Sequence, residues 1–119
     1  MSVRFLTVVI DCADPRSLSR WWADATGYEQ RADRDDWASI VGEGDRHIRV
    51  GFQKVPERKV VKNRVHVDLG APDIEAEAQR LEALGATRRW VSDDPDDPFI
   101  VLADPEDNEF CIILVPDGA

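Results

Sequence analysis

Apolar and polar residues along the chain follow a pattern of strands and helices that occurs twice. Residues 4–11 are apolar and rich in β-branched side chains, which is typical of a buried strand. Asp14-Pro15 then has the form of a helix start, with an N-cap acid before a proline, and Gly27 has the form of a helix stop. Turn residues separate the two strands predicted after this helix, at 37–41 and 47–54.

The second half of the chain repeats this plan. Residues 64–69 alternate like a strand, Pro72-Asp73 precedes helically spaced apolar residues, and Gly85 ends them. The two N-cap aspartates lie 59 positions apart and the two stop glycines 58, so the spacing predicts an internal duplication. Three apolar segments complete the second copy, at 90–91, 99–103 and 109–115.

This pattern predicts one α+β domain over residues 1–119, built from two tandem β-α-β-β-β modules. Module one covers about residues 1–57, a linker covers 58–61, and module two covers about 62–117. A unit of ~55 residues with one helix buries little apolar surface by itself. We therefore expect the two four-stranded sheets to pair into an open sheet that forms a cleft.

Strand alternation predicts which side chains face this cleft. Each strand has one apolar face, which we assign to the side packed under a helix, and one face that carries polar groups. Polar side chains on an inner sheet face are costly unless they meet water, each other or a ligand. The residues predicted on this basis to line the cavity are Thr7, Gln53, His66, Glu109 and Cys111.

The formal net charge of −9 lies entirely in the second half of the chain. Residues 1–60 carry ten acidic and ten basic side chains, whereas residues 61–119 carry fourteen acidic and five basic ones. This balance excludes nucleic acid and anionic membranes as main partners. Residues 54–64 hold five bases and one acid, so an anionic small molecule could be attracted to this segment.

The sequence also predicts a cytoplasmic protein. It has no apolar run of the ~20 residues that a membrane helix needs, and its N-terminus lacks a signal-peptide pattern. The two cysteines, Cys12 and Cys111, do not make a disulfide framework, and we expect free thiols.

Three segments carry a family resemblance. Residues 14–28 combine an aspartate entry, the aromatic pair Trp21-Trp22 and a glycine exit, residues 62–69 open module two, and residues 104–110 form an aspartate-proline hairpin. With the duplication, they resemble the vicinal oxygen chelate superfamily, which includes glyoxalase I, extradiol dioxygenases and bleomycin-resistance proteins. The resemblance covers nearly the whole chain and implies a single glyoxalase-like domain that forms a homodimer.

The resemblance also implies where a metal would lie. Enzymes of this superfamily hold a divalent metal with four inward-facing ligands, two from each module, and the metal acts as a Lewis acid on substrate oxygens. The first ligand position of module two falls on His66, and its counterpart in module one falls on Thr7. The position of the family's glutamate falls on Cys111, with Glu109 two residues earlier on the same strand face.

The fourth position depends on loop gaps. Gln53 is the ligand candidate, while other gaps place Arg49 or Gly51 there, neither of which coordinates through its side chain. One of four positions is thus clearly kept, and the resemblance implies a degenerate metal site.

Two functions stay open, and the sequence does not decide whether the chain is an enzyme. The first is binding of a small organic molecule in the inter-sheet cleft, with no certain cofactor. The second is a divalent-metal-dependent lyase, isomerase or dioxygenase with His66 and Glu109 as catalytic candidates. One Zn, Ni, Mn or Fe ion would then be held by residues drawn from His66, Glu109, Gln53 and Cys111.

Several residues are candidates for contact with the small molecule. Trp37 and Trp90 are predicted at the rim of the cavity as aromatic walls. Cys111 is either a buried inert thiol or a reactive one whose pKa a nearby arginine lowers. The full set of ligand-binding candidates is Thr7, Trp37, Arg49, Gln53, Arg64, Trp90 and Cys111.

Overall fold

The computed structural model describes residues 5–43 and 48–116 and divides the chain into two compact units, Met1–Arg58 and Lys59–Ala119. The first unit contains β1 (Thr7–Cys12), α1 (Pro15–Thr26), β2 (Glu29–Asp33), β3 (Trp37–Val41) and β4 (Arg49–Lys54). The second unit contains β5 (Asp68–Ala71), α2 (Ile74–Ala83), β6 (Thr87–Val91), β7 (Phe99–Ala103) and β8 (Glu109–Leu114).

Both units have the same sheet topology. The strand order is β1-β4-β3-β2 in the first unit and β5-β8-β7-β6 in the second. In each, the first and last strands pair in parallel and the remaining neighbours pair antiparallel. The predicted α+β class and the two tandem modules are therefore confirmed.

The two helices begin where the sequence predicts. The Asp14 carboxylate accepts a hydrogen bond from the Ser17 N–H at 3.2 Å, and the Asp73 carboxylate accepts one from the Ala76 N–H at 3.1 Å. Each bond satisfies a backbone donor that the first helical turn leaves without a partner. At the end of α1, Gly27 adopts a φ of 77°, in the left-handed region that glycine tolerates best.

In the first unit, one face of α1 packs on β2, β3 and β4. Trp21 and Trp22 are buried there with their rings edge to face, 5.1 Å between centroids. They belong to the core, as helical spacing predicts. The sheet contributes the buried side chains of Ala38, Ile40 and Phe52.

In the second unit, Ala78 and Leu81 of α2 are buried, and the helix packs on β6, β7 and β8. The largest fully buried side chains of this sheet belong to Ile100, Leu102, Phe110 and Ile112. Alternation along β8 thus assigns its helix-side face correctly, since Phe110 and Ile112 are buried while Cys111 and Ile113 stay half-buried.

The strands differ from the sequence-based expectation in several places. Strand β1 begins at Thr7, and its Val8 and Val9 are exposed rather than buried. The sequence pattern missed β2, because Glu29-Gln30-Arg31-Ala32-Asp33 lacks an apolar face strong enough to predict a strand. Strand β5 begins at Asp68 rather than Arg64, and β6 begins at Thr87 rather than Trp90. The predicted strand 47–54 begins at His47, which lies outside the described residues; β4 starts at Arg49.

Within the described ranges, no helix is both long and apolar enough to cross a membrane. Neither cysteine forms a disulfide in that part of the chain.

Candidate functional site

The open face of the second sheet, on the side away from α2, carries a cluster of polar side chains. Asp68 and Cys111 lie opposite each other in the parallel pair β5–β8, and the Cys111 N–H donates to the Val67 carbonyl at 3.0 Å. His66 precedes β5 by two residues. Its Nε2 lies 3.3 Å from the Asp68 Oδ1.

His66, Asp68 and Cys111 together offer one nitrogen, one oxygen and one sulfur donor. These three atoms all lie within 4.8 Å of one another. The side chains of His66 and Asp68 are 46% and 56% exposed, so water and small solutes reach them. Such a donor set fits a divalent metal with affinity for sulfur, such as zinc. We call these three residues the HDC cluster.

The sequence predicts His66 and Cys111 at one site but does not single out Asp68. Alternation along residues 64–69 already put Asp68 on the same face as His66. The family's ligand positions skip this residue, which is why it was missed.

The thiol of Cys111 is not activated by its surroundings. Burial raises its pKa, the Asp68 carboxylate raises it further, and Lys62 offsets part of the rise. A reactive thiolate needs the opposite shift. The structure thus favours a protonated thiol at neutral pH over the reactive cysteine considered from the sequence.

Glu109 has partners other than the HDC cluster. Its carboxylate accepts hydrogen bonds from Lys59 Nζ at 3.1 Å and from the Asn63 N–H at 3.2 Å. The Asn63 side chain in turn donates to the Glu109 carbonyl at 3.0 Å. Burial alone would raise the pKa of the Glu109 carboxyl, but hydrogen bonds from the backbone N–H groups of Asn63 and Glu109 and from Lys59 outweigh it and hold the pKa below its ordinary value. Glu109 therefore anchors residues 59–63 to β8.

An exposed aromatic residue borders the same face. The Trp90 side chain packs edge to face on Phe99, with 5.1 Å between ring centroids, and Trp90 is 55% exposed. A bulge between Arg88 and Trp90 decides its direction. Arg88 pairs with the helix-side Leu102, whereas Trp90 pairs with Val101, which itself pairs with Cys111. The bulge therefore turns Trp90 onto the face of Cys111.

The remaining site candidates on strands lie in the first unit. Thr7 pairs with Arg49 in the parallel pair β1–β4, and Gln53 pairs with Trp37 in β3–β4. Thr7 is half-buried, while Arg49 and Gln53 are exposed. Their contribution to a common site with His66 stays a prediction, as does that of Arg64, which is exposed and lies before β5.

Strand register indicates which residue of β4 corresponds to Cys111 of β8. Trp37 pairs with Gln53 as Phe99 pairs with Ile113, so Gln53 corresponds to Ile113. The residue of β4 that corresponds to Cys111 is therefore Gly51, which has no side chain to offer. The Trp37 ring lies directly over Gly51.

Solved structures from three organisms share this two-sheet architecture. The bleomycin-binding protein of Streptomyces verticillus, solved with copper(II)-bleomycin, has a TM-score of 0.66 and 19% identity over 95% of this chain and 98% of that one. The fosfomycin resistance protein FosX of Mesorhizobium loti has a TM-score of 0.72 and 14% identity over 98% and 95% of the two chains. Lactoylglutathione lyase of Agrobacterium tumefaciens has a TM-score of 0.67 and 13% identity over 93% and 92%.

At identities this low, the structural similarity shows the fold alone, which is that of the glyoxalase, bleomycin-resistance and dioxygenase proteins. The sequence match is more specific. The glyoxalase-like domain family matches residues 7–113, and the chain belongs to that family.

One curated protein matches part of the chain. A stretch of 61 residues is 34% identical to formate dehydrogenase subunit alpha of Megalodesulfovibrio gigas. The match covers 51% of this chain but 6% of that protein, so it says nothing about activity.

Proposed function

We propose that this glyoxalase-like protein binds a small organic molecule on the open face of its second sheet. The observation that carries the proposal is the combination of the half-exposed HDC cluster with an exposed tryptophan on one sheet face. Small-molecule sites typically pair an apolar, aromatic surface with a few polar groups that fix orientation.

Two relatives support this function by analogy. The bleomycin-binding protein and the fosfomycin resistance protein have the same fold and are named for small molecules. Since fold alone does not determine function, the argument for this chain depends on the residues of its own sheet face.

Metal-dependent catalysis of the glyoxalase type is the second candidate function. The HDC cluster favours it, because His, Asp and Cys are ligands that zinc accepts. A bound divalent ion would supply Lewis-acid polarisation of a substrate oxygen. His66, Asp68 and Cys111 would hold the ion, and any further acid–base role of His66 belongs to this second function.

The ligand class follows from charge. The positive charge of Lys62 offsets part of the rise in the pKa of Cys111, and Lys62 lies in a segment where bases outnumber acids. An aromatic or apolar anion would fit both this positive charge and the exposed ring of Trp90. Homodimerisation and a cytoplasmic location are part of the proposal as well, to be tested by light scattering and by cell fractionation.

Binding of an aromatic sulfonate, 8-anilinonaphthalene-1-sulfonate, tests the proposed face. We expect Trp90→Ala to weaken its affinity by about tenfold, which corresponds to about 1.4 kcal/mol. Val91→Ala is the matched control, since Val91 is also exposed but pairs with the helix-side Ile100. Equal affinities of the wild type and Trp90→Ala would place the binding surface elsewhere.

A further inference from the structure

We propose that the second unit carries a three-ligand zinc site made of His66, Asp68 and Cys111, which replaces the four-position site of the superfamily. The residue that defines it is Asp68, which no family position predicts. The proposal goes beyond small-molecule binding, since it concerns a metal held by one module alone, and it rests on the proposed function only for its location.

Backbone register places two of the three proposed ligands side by side. Asp68 and Cys111 are directly opposed in the parallel pair β5–β8, which fixes their Cα atoms as neighbours. The Cys111 N–H bond to the Val67 carbonyl holds the chain just before Asp68 against β8. A ligand pair on adjacent, hydrogen-bonded strands is positioned by the sheet rather than by a loop, as a precise metal site requires.

The spacing of the three donor atoms is close to that of a tetrahedral zinc site. Two ligands bound at about 2.0 Å in a tetrahedral zinc site lie about 3.3 Å apart, and a sulfur–nitrogen pair lies about 3.5 Å apart. His66 Nε2 and Asp68 Oδ1 already stand 3.3 Å apart. All three donor atoms lie within 4.8 Å of one another. Side-chain rotations that move the donor atoms by about 1 Å would therefore bring them to the spacing of zinc ligands.

The superfamily positions of module one do not supply a competing set of ligands. Thr7 is a poor ligand, and Gly51, the register counterpart of Cys111, has no donor atom. The carboxylate of Glu109 is already bonded to Lys59 and Asn63. Among residues 5–43 and 48–116, the donors that converge, those of His66, Asp68 and Cys111, belong to the second unit.

The cluster is exposed enough to admit a further ligand. Three protein ligands leave a fourth position of a tetrahedral site open, as in zinc sites that act on substrates. Because the side chains of His66 and Asp68 are about half exposed, a small molecule can reach that position. The cluster therefore combines metal binding with access for a ligand.

Cobalt(II) titration of the tag-free, metal-stripped full chain tests the proposal. We expect one cobalt per chain, a thiolate-to-cobalt charge-transfer band in the near ultraviolet, and displacement of the cobalt by zinc. Asp68→Asn, which is nearly isosteric at an exposed position, should weaken zinc affinity by more than about 100-fold. Loss of even an outer-shell partner of a zinc ligand typically costs about 10- to 100-fold. Cys111→Ser should abolish the charge-transfer band while circular dichroism stays unchanged.

The controls separate this site from the superfamily arrangement. Asp93→Asn removes an exposed carboxylate elsewhere in the second unit and should leave zinc affinity unchanged. Thr7→Ala and Gln53→Ala should do the same. The proposal is overturned if no metal binds at saturating concentration, if Asp68→Asn binds zinc like the wild type, or if Thr7→Ala and Gln53→Ala weaken binding as much as Asp68→Asn. Binding of the aromatic sulfonate is measured separately on metal-free protein, so either proposal can fail without the other.

Discussion

The two modules share one topology but differ in chemistry at equivalent positions of their open faces. By register, Gly51 of β4 corresponds to Cys111 of β8, and Val9 of β1 corresponds to Asp68 of β5. In module one the ring of Trp37 fills the space over Gly51. In module two the same place holds a half-buried thiol beside a carboxylate. The shared topology thus presents different groups at equivalent positions: potential metal donors in module two and an aromatic ring over a glycine in module one.

The link between helix and edge strand shows the same divergence. In module one, Arg20 of α1 pairs with Asp33 of β2 at 2.9 Å. In module two the signs are reversed, and Arg88 of β6 pairs with Glu75 and Glu82 of α2 at 2.6 and 2.9 Å. In both modules a salt bridge links the helix to the edge strand, but the basic partner lies on the helix in module one and on the strand in module two. Part of the excess acid of module two therefore lies on its helix.

The largest effect is expected where the modules are most alike, in their cores. Phe52→Ala and Phe110→Ala each remove a fully buried ring, and we expect each to lower the free energy of unfolding by about 3–5 kcal/mol. Urea denaturation followed by circular dichroism measures this. A loss below about 1 kcal/mol for either variant would contradict the two-core description.

A smaller effect is expected where the open faces differ. Gly51→Cys installs in module one the residue of module two, but a Cβ at this position would lie 2.8 Å from Trp37 Cζ2 and closer still to Cη2. We expect a loss of about 1–3 kcal/mol in unfolding free energy from overpacking. In a Trp37→Ala background the same change should cost clearly less, and equal costs in both backgrounds would show that Trp37 does not set the difference.

The smallest effect concerns the reversed charges. The hydrogen bond from Arg88 holds the pKa of Glu75 below its ordinary value, although burial opposes this shift. The stabilisation is therefore present above the unfolded-state pKa and is lost as pH falls through the folded-state pKa. We expect Glu75→Gln to flatten the acid limb of stability against pH slightly, relative to Asp93→Asn. Identical profiles for wild type and Glu75→Gln would mean that solvent screens the pair completely.

Much of the fold could be predicted because its local signals are strong. The helix starts at Asp14 and Asp73 and the stop at Gly27 are decided within one turn of chain, where capping chemistry dominates. Strand β2 could not be predicted, since its residues are mostly polar and the pairing with β3 comes from tertiary structure. Strand β5 starts later than predicted, and before it Lys59 and Asn63 are hydrogen-bonded to Glu109 of β8, a contact between distant parts of the sequence.

The site was predictable in part for the same reason. His66 and Cys111 could be placed on one face from alternation alone, because the period of a strand is two residues. The face of Trp90 could not, since the bulge beside Arg88 breaks that period. The assignment of Gly51, rather than Gln53, as the counterpart of Cys111 needed the register of β3 with β4. The sequence alone does not fix that register.

In the proposed zinc site, all protein ligands of the metal belong to module two. Zinc titration of isotope-labelled protein, followed by amide and side-chain NMR shifts, tests it most directly. We predict that signals of His66, Asp68 and Cys111 shift to saturation at one zinc per chain, while those of Thr7 and Gly51 stay within the scatter of the rest of module one. Shifts of equal size at Thr7 and Gly51, or none at Asp68, would contradict the account.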